Sequence, residues 1–383
     1  MLHFNKRIEQ VPPSGIRKFF DLVLGANDII SLGVGEPDFV TPWHVREKVF
    51  YSLEQGHTSY TSNWGMQELR KETALYLKQS FSAAYAAEEI LITVGVSEGV
   101  DITLRTILNE GDEIIVPEPT YVCYTPLAFL AGGVAVPVSN PTFKITADDI
   151  EKAVTKKTRA VLLSYPSNPT GYTIDKEELL KIAEIARKYD LWIISDEIYA
   201  ELTYEKKHFS ISAIPEVKER VILLNGFSKA FAMTGWRGGI MAAPKWIAQA
   251  CDKMQGQFTS ATSSITQKAM HKAMELDYET YIKPMRDAFL KRRDLVLKLM
   301  KEIPGLKTNT PQGAFYVYPE VSFYFGKKYK DYTINNATDL SLYLLDEGHL
   351  ALVPGAAFGE DRYIRFSYAT SEQNLTEALK RMK

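Results

Sequence analysis

The chain has 383 residues, of which 45% are hydrophobic and 24% are charged, so it can bury the core of one large domain or of two smaller ones. Its formal net charge of −2 excludes the strongly basic surface by which proteins bind nucleic acids or anionic membranes. We therefore expect neither a nucleic-acid nor a membrane partner.

The cysteines and the N-terminus indicate the cellular compartment. Cys123 and Cys251 cannot form a disulfide framework and lack metal-ligand spacing, so we expect two buried thiols, a reducing environment and no metal site. The N-terminal sequence MLHFNKRIEQVPP has no apolar signal-peptide core, and no apolar run approaches the length of a membrane span. These features predict a soluble, cytoplasmic protein.

Short apolar runs in the middle of the chain predict buried parallel strands separated by amphipathic stretches. The predicted strands are Ile90–Val94, Glu113–Val116, Val134–Val138, Ala160–Tyr165, Leu191–Ser195, Val221–Asn225 and Gly239–Ala242. The clearest helix is predicted over Lys176–Tyr189, with Asp175 as its N-cap. The apolar stripe of this helix consists of Leu179, Leu180, Ile182, Ala183, Ile185 and Ala186. Alternation of strand and helix predicts a wound α/β sheet.

The C-terminal part of the chain has a different, α+β pattern. Helices are predicted over Arg286–Glu302 and Leu375–Met382, and strands over Gly313–Tyr318 and Tyr363–Tyr368. This change of pattern predicts a second, smaller domain.

Functional residues of open α/β sheets gather at the carboxyl ends of the strands, and four predicted strand ends carry polar or special residues. The first is Gly95-Val96-Ser97, where a glycine turn leads into a helix whose free N–H groups could bind a phosphate. The plainer interpretation makes Ser97 an ordinary N-cap. Glu98 would repel a phosphate, so its carboxylate must point away or have a partner.

The second and third strand ends carry an amide and two acids. Asn168 lies in the turn Pro166–Gly171, which could be only a turn or could present the amide to a ligand. Asp196 and Glu197 follow a predicted strand directly and could form a surface loop or an N-cap. A partly buried carboxylate here would need a cationic partner, and a protonated pyridine ring would serve.

The fourth strand end carries Ser228 and Lys229. Small and aromatic neighbours can remove the lysine from water, which lowers its pKa and makes the amine nucleophilic. Arg237 lies eight residues further on and offers a planar fork for a phosphate. A single lysine is usually a surface charge, but the four strand ends together favour a functional site.

With these residues the sequence resembles, nearly end to end, the fold-type I pyridoxal-phosphate enzymes of the class I/II aminotransferase family. The matching motifs are SLGVGEPDF (Ser31–Phe39), SYTSNWGMQELR (Ser59–Arg70), YPSNPTG (Tyr165–Gly171), SDEIYAELTY (Ser195–Tyr204), FSKAFAMTGWR (Phe227–Arg237) and YIRFSYATS (Tyr363–Ser371). The resemblance implies a large domain over 46–283 with a mostly parallel seven-stranded sheet flanked by helices, a small α+β domain over 284–383, and an N-terminal segment, 1–45, that joins the small domain.

The resemblance also implies the roles of individual residues. It implies that pyridoxal phosphate is held as a Schiff base on Lys229, which is also the general base and acid, with Asp196 at the pyridine nitrogen. The further cofactor contacts that it implies are Asn168 and Tyr199 at the phenolic oxygen, Tyr121 on the ring, Val96, Ser97, Ser228 and Arg237 at the phosphate, and Tyr60 from the second subunit of a homodimer. The substrate contacts that it implies are Arg365, Gly35 and Asn168, with Arg365 binding the α-carboxylate.

The implied reaction is ping-pong transfer of an amino group from an L-amino acid to a 2-oxo acid. Some dicarboxylate-specific relatives place a lysine where Ser97 stands, and its absence here disfavours aspartate unless a remote arginine or lysine substitutes. Aspartate, aromatic and acyl-diaminopimelate-type substrates are the classes that the resemblance leaves open. A carbon–sulfur β-lyase would use the same Lys229 and Asp196. A dinucleotide-binding oxidoreductase has only Gly33-Val34-Gly35 in its favour, and an inactive binding protein is disfavoured by the intact Lys229, Asp196 and Arg365.

Overall fold

The structure is a computed structural model that describes residues 3–16 and 28–383. Its strands are β1 (Ile30–Ser31), β2 (Ile90–Val94), β3 (Glu113–Glu118), β4 (Val134–Ser139), β5 (Thr158–Ser164), β6 (Trp192–Asp196), β7 (Val221–Gly226), β8 (Gly238–Ala242), β9 (Tyr316–Val317), β10 (Lys328–Tyr329), β11 (Tyr332–Thr333), β12 (Leu350–Ala351), β13 (Val353–Pro354) and β14 (Ile364–Ser367).

The α-helices of the described ranges are α1 (Lys6–Gln10), α2 (Trp43–Glu54), α3 (Gln67–Phe81), α4 (Gly95–Ile107), α5 (Tyr124–Leu130), α6 (Ala147–Ala153), α7 (Lys176–Lys188), α8 (Lys245–Gly256), α9 (Ser264–Met274), α10 (Tyr278–Tyr281), α11 (Lys283–Met300), α12 (Ala337–Asp346) and α13 (Glu372–Met382). Short 3₁₀ turns cover Ala87–Glu89, Ile211–Ala213, Pro215–Arg220, Thr234–Trp236, Ser322–Tyr324 and Gly355–Phe358. In the part of the chain that is described, no helix is long and apolar enough to cross a membrane.

The predicted seven-stranded, mostly parallel sheet is confirmed, and its strand order is β2-β8-β7-β6-β5-β3-β4. The expectation that every strand is parallel is wrong for β8, which runs antiparallel to both β7 and β2. The connection from β7 to β8, residues 227–237, is too short for the helical crossover that parallel strands need. The expectation of burial is wrong for β4, because it is an edge strand and Val134 is exposed.

Helices cover both faces of this sheet. Alternate strand residues point to opposite faces, so Ile114 packs in an apolar cluster with α4 and α5, whereas Ile115 packs in a cluster with α6 and α7. Both faces are therefore buried, as the continuous apolar runs predict. The carboxyl ends of β5, β6 and β7 consequently meet at one edge of a rigid layer.

Helix α7 follows the prediction for Lys176–Tyr189 with two corrections. Leu180 is 41% exposed and does not belong to the buried stripe, since it is one residue past Leu179 and so points about 100° around the helix. Asp175 occupies the N-cap position, but its side chain makes no capping hydrogen bond. It accepts a hydrogen bond from the Lys206 ammonium at 3.0 Å instead.

The C-terminal part contains a three-stranded sheet in the order β13-β14-β9. Helices α11 and α13 pack on each other and share one apolar cluster with residues of β9 and β14. The strands predicted over Gly313–Tyr318 and Tyr363–Tyr368 are present but shorter, partly because Ala314 donates its N–H to the Leu202 carbonyl outside the sheet. Strand β1 pairs in parallel with β12, so the chain near Ile30 lies beside the C-terminal residues. This pairing brings the segment after β1 next to β14.

Candidate active site

The ends of several strands and the start of α4 enclose one cavity of about 220 Å³. Eleven of the twelve site residues predicted from the sequence line it: Gly35, Val96, Ser97, Tyr121, Asn168, Asp196, Tyr199, Ser228, Lys229, Arg237 and Arg365. The twelfth, Tyr60, is 100% exposed in a single copy of the chain and lies outside the cavity.

Lys229 reaches into the cavity from the loop after β7. Its ammonium donates a hydrogen bond to the Gly35 carbonyl and lies 5.8 Å from the ring centre of Tyr199 and 5.9 Å from that of Phe315. Removal from water, together with the positive charge of Arg365, lowers the pKa of Lys229 to about 8. An appreciable fraction of this amine is therefore neutral near physiological pH, as a nucleophile or a base requires.

Asp196 is the last residue of β6 and is 4% exposed. Its carboxylate accepts hydrogen bonds from the Tyr124 hydroxyl at 2.7 Å and from the Ile198 N–H at 3.2 Å. Burial raises its pKa to about 6, and within the described ranges no basic group forms an ion pair with it. A buried carboxylate in this state is suited to a cationic ligand group.

Arg365 lies in β14 and is 1% exposed. Its Nη1 donates to Asn168 Oδ1 at 2.9 Å and its Nη2 donates to the Gly33 carbonyl, while Nε has no hydrogen-bond partner. The aromatic rings of Tyr316 and Phe358 lie 4.6 and 4.9 Å from the guanidinium carbon. No acidic side chain of the described residues pairs with this buried cation, so the geometry is suited to a carboxylate ligand.

A phosphate-sized region lies where α4 begins. No side chain caps this helix, so its first N–H groups are free to bind an anion. Gly95 has φ +72°, and a Cβ atom there would lie 2.5 Å from Arg237 Nη2, so the glycine brings the backbone close to the guanidinium. Ser97 is the third residue of the helix, so the interpretation of it as an N-cap is wrong. Ser228 is buried beside this region.

The carboxylate of Glu98 has partners, as its position beside this region requires. It accepts hydrogen bonds from the Val94 N–H at 2.5 Å, from Gln255 Nε2 at 3.0 Å and from the Thr259 hydroxyl. Glu98 does not line the cavity. Its negative charge is thus used to hold the turn into α4 rather than facing a ligand.

Sequence reasoning missed three features of the site. Tyr316 lies in β9, its hydroxyl is 2.7 Å from the Tyr199 hydroxyl, and it lines the cavity. Tyr124 has no role predicted from the sequence, although its hydroxyl donates a hydrogen bond to Asp196. Cys123 was expected to be buried but is partly exposed at the cavity wall. The apolar pattern of these segments indicated packing and carried no signal for the positions of the hydroxyl groups.

Glu197 is fully buried, so the surface-loop interpretation of the Asp196-Glu197 pair is wrong. One carboxylate oxygen lies 2.6 Å from His208 Nε2. The other accepts hydrogen bonds from the hydroxyls of Ser195, Ser210 and Tyr165 at 2.8, 2.9 and 3.1 Å. Glu197 does not line the cavity, so these bonds fix the end of β6 from behind Asp196.

The donors and acceptors of the cavity fit pyridoxal phosphate group by group. The Lys229 amine is suited to the aldehyde and the uncompensated Asp196 carboxylate to the protonated ring nitrogen. Asn168 and Tyr199 can hydrogen-bond the phenolic oxygen, while Arg237 and the free start of α4 are suited to the phosphate.

Comparison with known proteins gives a consistent result over the full length of the chain. The family model "Aminotransferase class I and II" matches residues 27–382. The chain is 46% identical to YugH of Bacillus subtilis (strain 168), named as a candidate aminotransferase, over 98% of this chain and 96% of that one. It is 40% identical to aromatic-amino-acid aminotransferase 2 of Thermococcus litoralis, over 98% and 96% of the two chains.

A solved structure agrees with these relatives. Aspartate aminotransferase from Thermus thermophilus with maleate superimposes with a TM-score of 0.93 at 35% identity, covering 100% of this chain and 99% of that one. The resemblance inferred from the motifs is thus confirmed, and the named relatives favour amino transfer over β-elimination. The chain belongs to the aminotransferase class I and II family and is a pyridoxal-phosphate-dependent aminotransferase.

Proposed function

We propose that the amino group is transferred in the cavity between Lys229 and Arg365, from an L-amino acid to a 2-oxo acid. The observation that carries this proposal is that a lysine of lowered pKa and a buried guanidinium without a carboxylate partner share one cavity. When bound, pyridoxal phosphate supplies an electron sink that stabilises negative charge at the substrate α-carbon.

The protein groups supply proton transfer and electrostatics. In our proposal the Lys229 amine would hold the cofactor at rest. Once released by the substrate, it would take a proton from the substrate α-carbon as general base and hand it on as general acid. Asp196 would hold a proton at the ring nitrogen. Asn168 accepts from Arg365 through Oδ1, which leaves its Nδ2 to donate to the phenolic oxygen beside Tyr199.

Arg365 orients the substrate. Two of its N–H bonds are used by Asn168 and Gly33, which fixes the plane of the guanidinium, and the others are available to form a pair of hydrogen bonds to an α-carboxylate. Together with the Gly35 backbone, this contact would place the α-hydrogen against the Lys229 amine. Such alignment contributes to the rate as well as to affinity.

The preferred substrate side chain is inferred from the charges of the residues that line the cavity. Among the described lining residues the cations are Lys229, Arg237 and Arg365, all of which the proposed roles use. Ser97 and Ile16 add no charge for a distal carboxylate. These observations support uncharged donors, aromatic ones included, ahead of aspartate. The names of the relatives, one aromatic and one aspartate aminotransferase, support both classes.

We also propose a homodimer with shared active sites. Tyr60 is fully exposed and does not line its own cavity, and α2 exposes Trp43, Phe50 and Tyr51. Such an apolar surface is suited to a second copy of the chain, which could then receive Tyr60 at its phosphate region. Sedimentation would measure the dimer, and Tyr60→Phe is expected to weaken cofactor binding.

Further proposals concern domain organisation and location. The division into segment 1–45 and domains over 46–283 and 284–383 is supported by one apolar cluster that joins Leu32 to Phe289, Phe366 and Leu375. The cytoplasmic location is proposed from the sequence composition, in which only two cysteines occur, as in proteins of reducing compartments.

A visible absorption spectrum of the purified protein tests the proposed reaction. The yellow band of the bound cofactor should be replaced by a pyridoxamine phosphate band when an accepted amino acid is added without a 2-oxo acid. Repeating the measurement with aromatic amino acids, aspartate and an acyl-diaminopimelate ranks the donors. Release of pyruvate and ammonia from cystathionine, with no bleaching by any amino acid, would contradict the proposal and favour the β-lyase.

A further inference from the structure

Tyr316 connects the two ends of the cavity. Its ring is fully buried and lies 4.6 Å from the guanidinium carbon of Arg365. Its hydroxyl lies 2.7 Å from the hydroxyl of Tyr199. A single side chain therefore contacts both the proposed carboxylate-binding group and the proposed cofactor-binding phenol.

The Tyr316 hydroxyl is closely enclosed. A Cβ atom on Gly35 would lie 2.6 Å from this hydroxyl, so the backbone of the substrate-binding segment closes one side of it. Of the described residues, Tyr199 is its one hydrogen-bond partner. The Tyr199 hydroxyl also has Tyr316 as its one partner among the described residues, and both tyrosines line the cavity.

The proposed role of Tyr199 fixes the direction of the hydrogen bond. If Tyr199 donated to Tyr316, it would have no proton left for the phenolic oxygen of the cofactor, since a phenol has a single one. If Tyr316 donates to Tyr199, the Tyr199 proton is free for an acceptor in the cavity, and both protons are satisfied once the cofactor is bound. The second arrangement is therefore the stable one in the loaded enzyme.

We propose that Tyr316 is a positioning residue that donates a hydrogen bond to Tyr199 and thereby makes Tyr199 a stronger donor to the cofactor's phenolic oxygen. This inference rests on the proposed role of Tyr199. Consecutive hydrogen bonds polarise one another, so the first strengthens the second. Because the Tyr316 ring also supports Arg365, it holds the substrate-binding and cofactor-binding groups in a fixed relative position.

The test is the pH at which the absorption band of the Lys229-bound cofactor changes. A hydrogen bond from Tyr199 reduces the negative charge on the phenolic oxygen of the cofactor. The oxygen then stabilises less strongly the proton on the nitrogen that links the cofactor to Lys229, so this proton is lost at a lower pH. A weaker donor should therefore raise the pH midpoint. No variant changes the charged or titratable side chains around the pair, which are Lys229, Arg365, Arg237, Tyr121, Asp196 and Glu36.

The variants are Tyr316→Phe, Tyr199→Phe, the double variant and the control Tyr368→Phe. Tyr316→Phe should raise the midpoint by roughly 0.3–0.7 pH unit, a fraction of one neutral hydrogen bond, and Tyr199→Phe should raise it further. The double variant should match Tyr199→Phe, since Tyr316 acts through Tyr199. The control Tyr368→Phe breaks a different tyrosine pair, because the Tyr368 hydroxyl lies 3.1 Å from the Tyr204 hydroxyl outside the cavity. This variant should leave the midpoint unchanged.

Kinetics separate this role from a structural one. Tyr316→Phe keeps the ring against Arg365, so the KM for the amino acid should change less than about twofold while kcat falls. An unshifted midpoint in Tyr316→Phe, a shift that adds to that of Tyr199→Phe, or an equal shift in Tyr368→Phe would overturn the inference and leave the proposed function intact. A wild-type protein with no cofactor band would overturn both.

Discussion

Replacement of Arg365 by lysine should lower kcat/KM for the preferred amino acid by about 10- to 150-fold. Of five guanidinium N–H bonds, one is used by Asn168 and one by Gly33, and a carboxylate can take two of the remaining three. Lysine keeps the charge but not the fork, so one charge-assisted hydrogen bond, worth about 1.5–3 kcal/mol, is lost. Each 1.36 kcal/mol corresponds to a tenfold change in rate, which gives the range stated.

The assay is steady-state turnover at saturating 2-oxo acid, with cofactor occupancy checked by absorbance. Arg293→Lys is the matched control, because Arg293 is also a buried arginine but pairs with Glu205, Asp294 and the Pro311 carbonyl outside the cavity. Its kcat/KM should change less than about threefold. The reasoning is refuted if Arg365→Lys keeps kcat/KM within twofold of wild type, or if Arg293→Lys loses as much.

Burial raises the pKa of Asp196 to about 6, so its contribution to the stability of the cofactor-free protein is lost as the pH rises from about 4 through about 6. Cofactor-free Asp196→Asn should therefore be more stable than cofactor-free wild type at pH 7.5, by on the order of 2–3 kcal/mol, with no difference below pH 4; a constant difference would contradict this. Glu197→Gln should lower stability by about 2–4 kcal/mol in denaturant unfolding, because the buried oxygen opposite His208 loses its charge; an unchanged midpoint would disagree. Arg237→Ala should raise the cofactor dissociation constant by about tenfold or more in dialysis, with the donor KM little changed, since it removes a phosphate contact. Lys229→Ala should abolish turnover while the protein stays folded, and wild-type activity would disprove both of its assigned roles.

The strands of the central sheet other than the edge strand β4 could be predicted from the sequence because both of their faces are buried. Continuous apolar runs gave the seven strands to within two residues at each end. The direction of β8 could not be predicted from such runs, since they carry no information about pairing. The direction of β8 depends on the length of the β7–β8 connection. This length is informative only when the strand order shows that β7 and β8 are neighbours.

Site residues at strand ends could be predicted, because the fold brings those ends to one edge and the family motifs name the residues. Lys229 and Asp196 are of this kind. Tyr316 could not be found in the same way, since its ring packs like any core tyrosine and only the meeting of β9 with the loop after β6 gives its hydroxyl a partner. The burial of Glu197 likewise depends on His208 and Ser210, which lie 11 and 13 residues further along the chain in a segment without a strand or helix pattern of its own.

Borohydride reduction followed by peptide mass analysis tests the central claim most directly. Reduction of the isolated protein should attach the cofactor to Lys229, and prior incubation with an accepted amino acid, without a 2-oxo acid, should remove that label because the lysine amine has been released. Label on a different lysine would contradict amino transfer at this site. So would label on Lys229 whose amount stays the same after incubation with every amino acid.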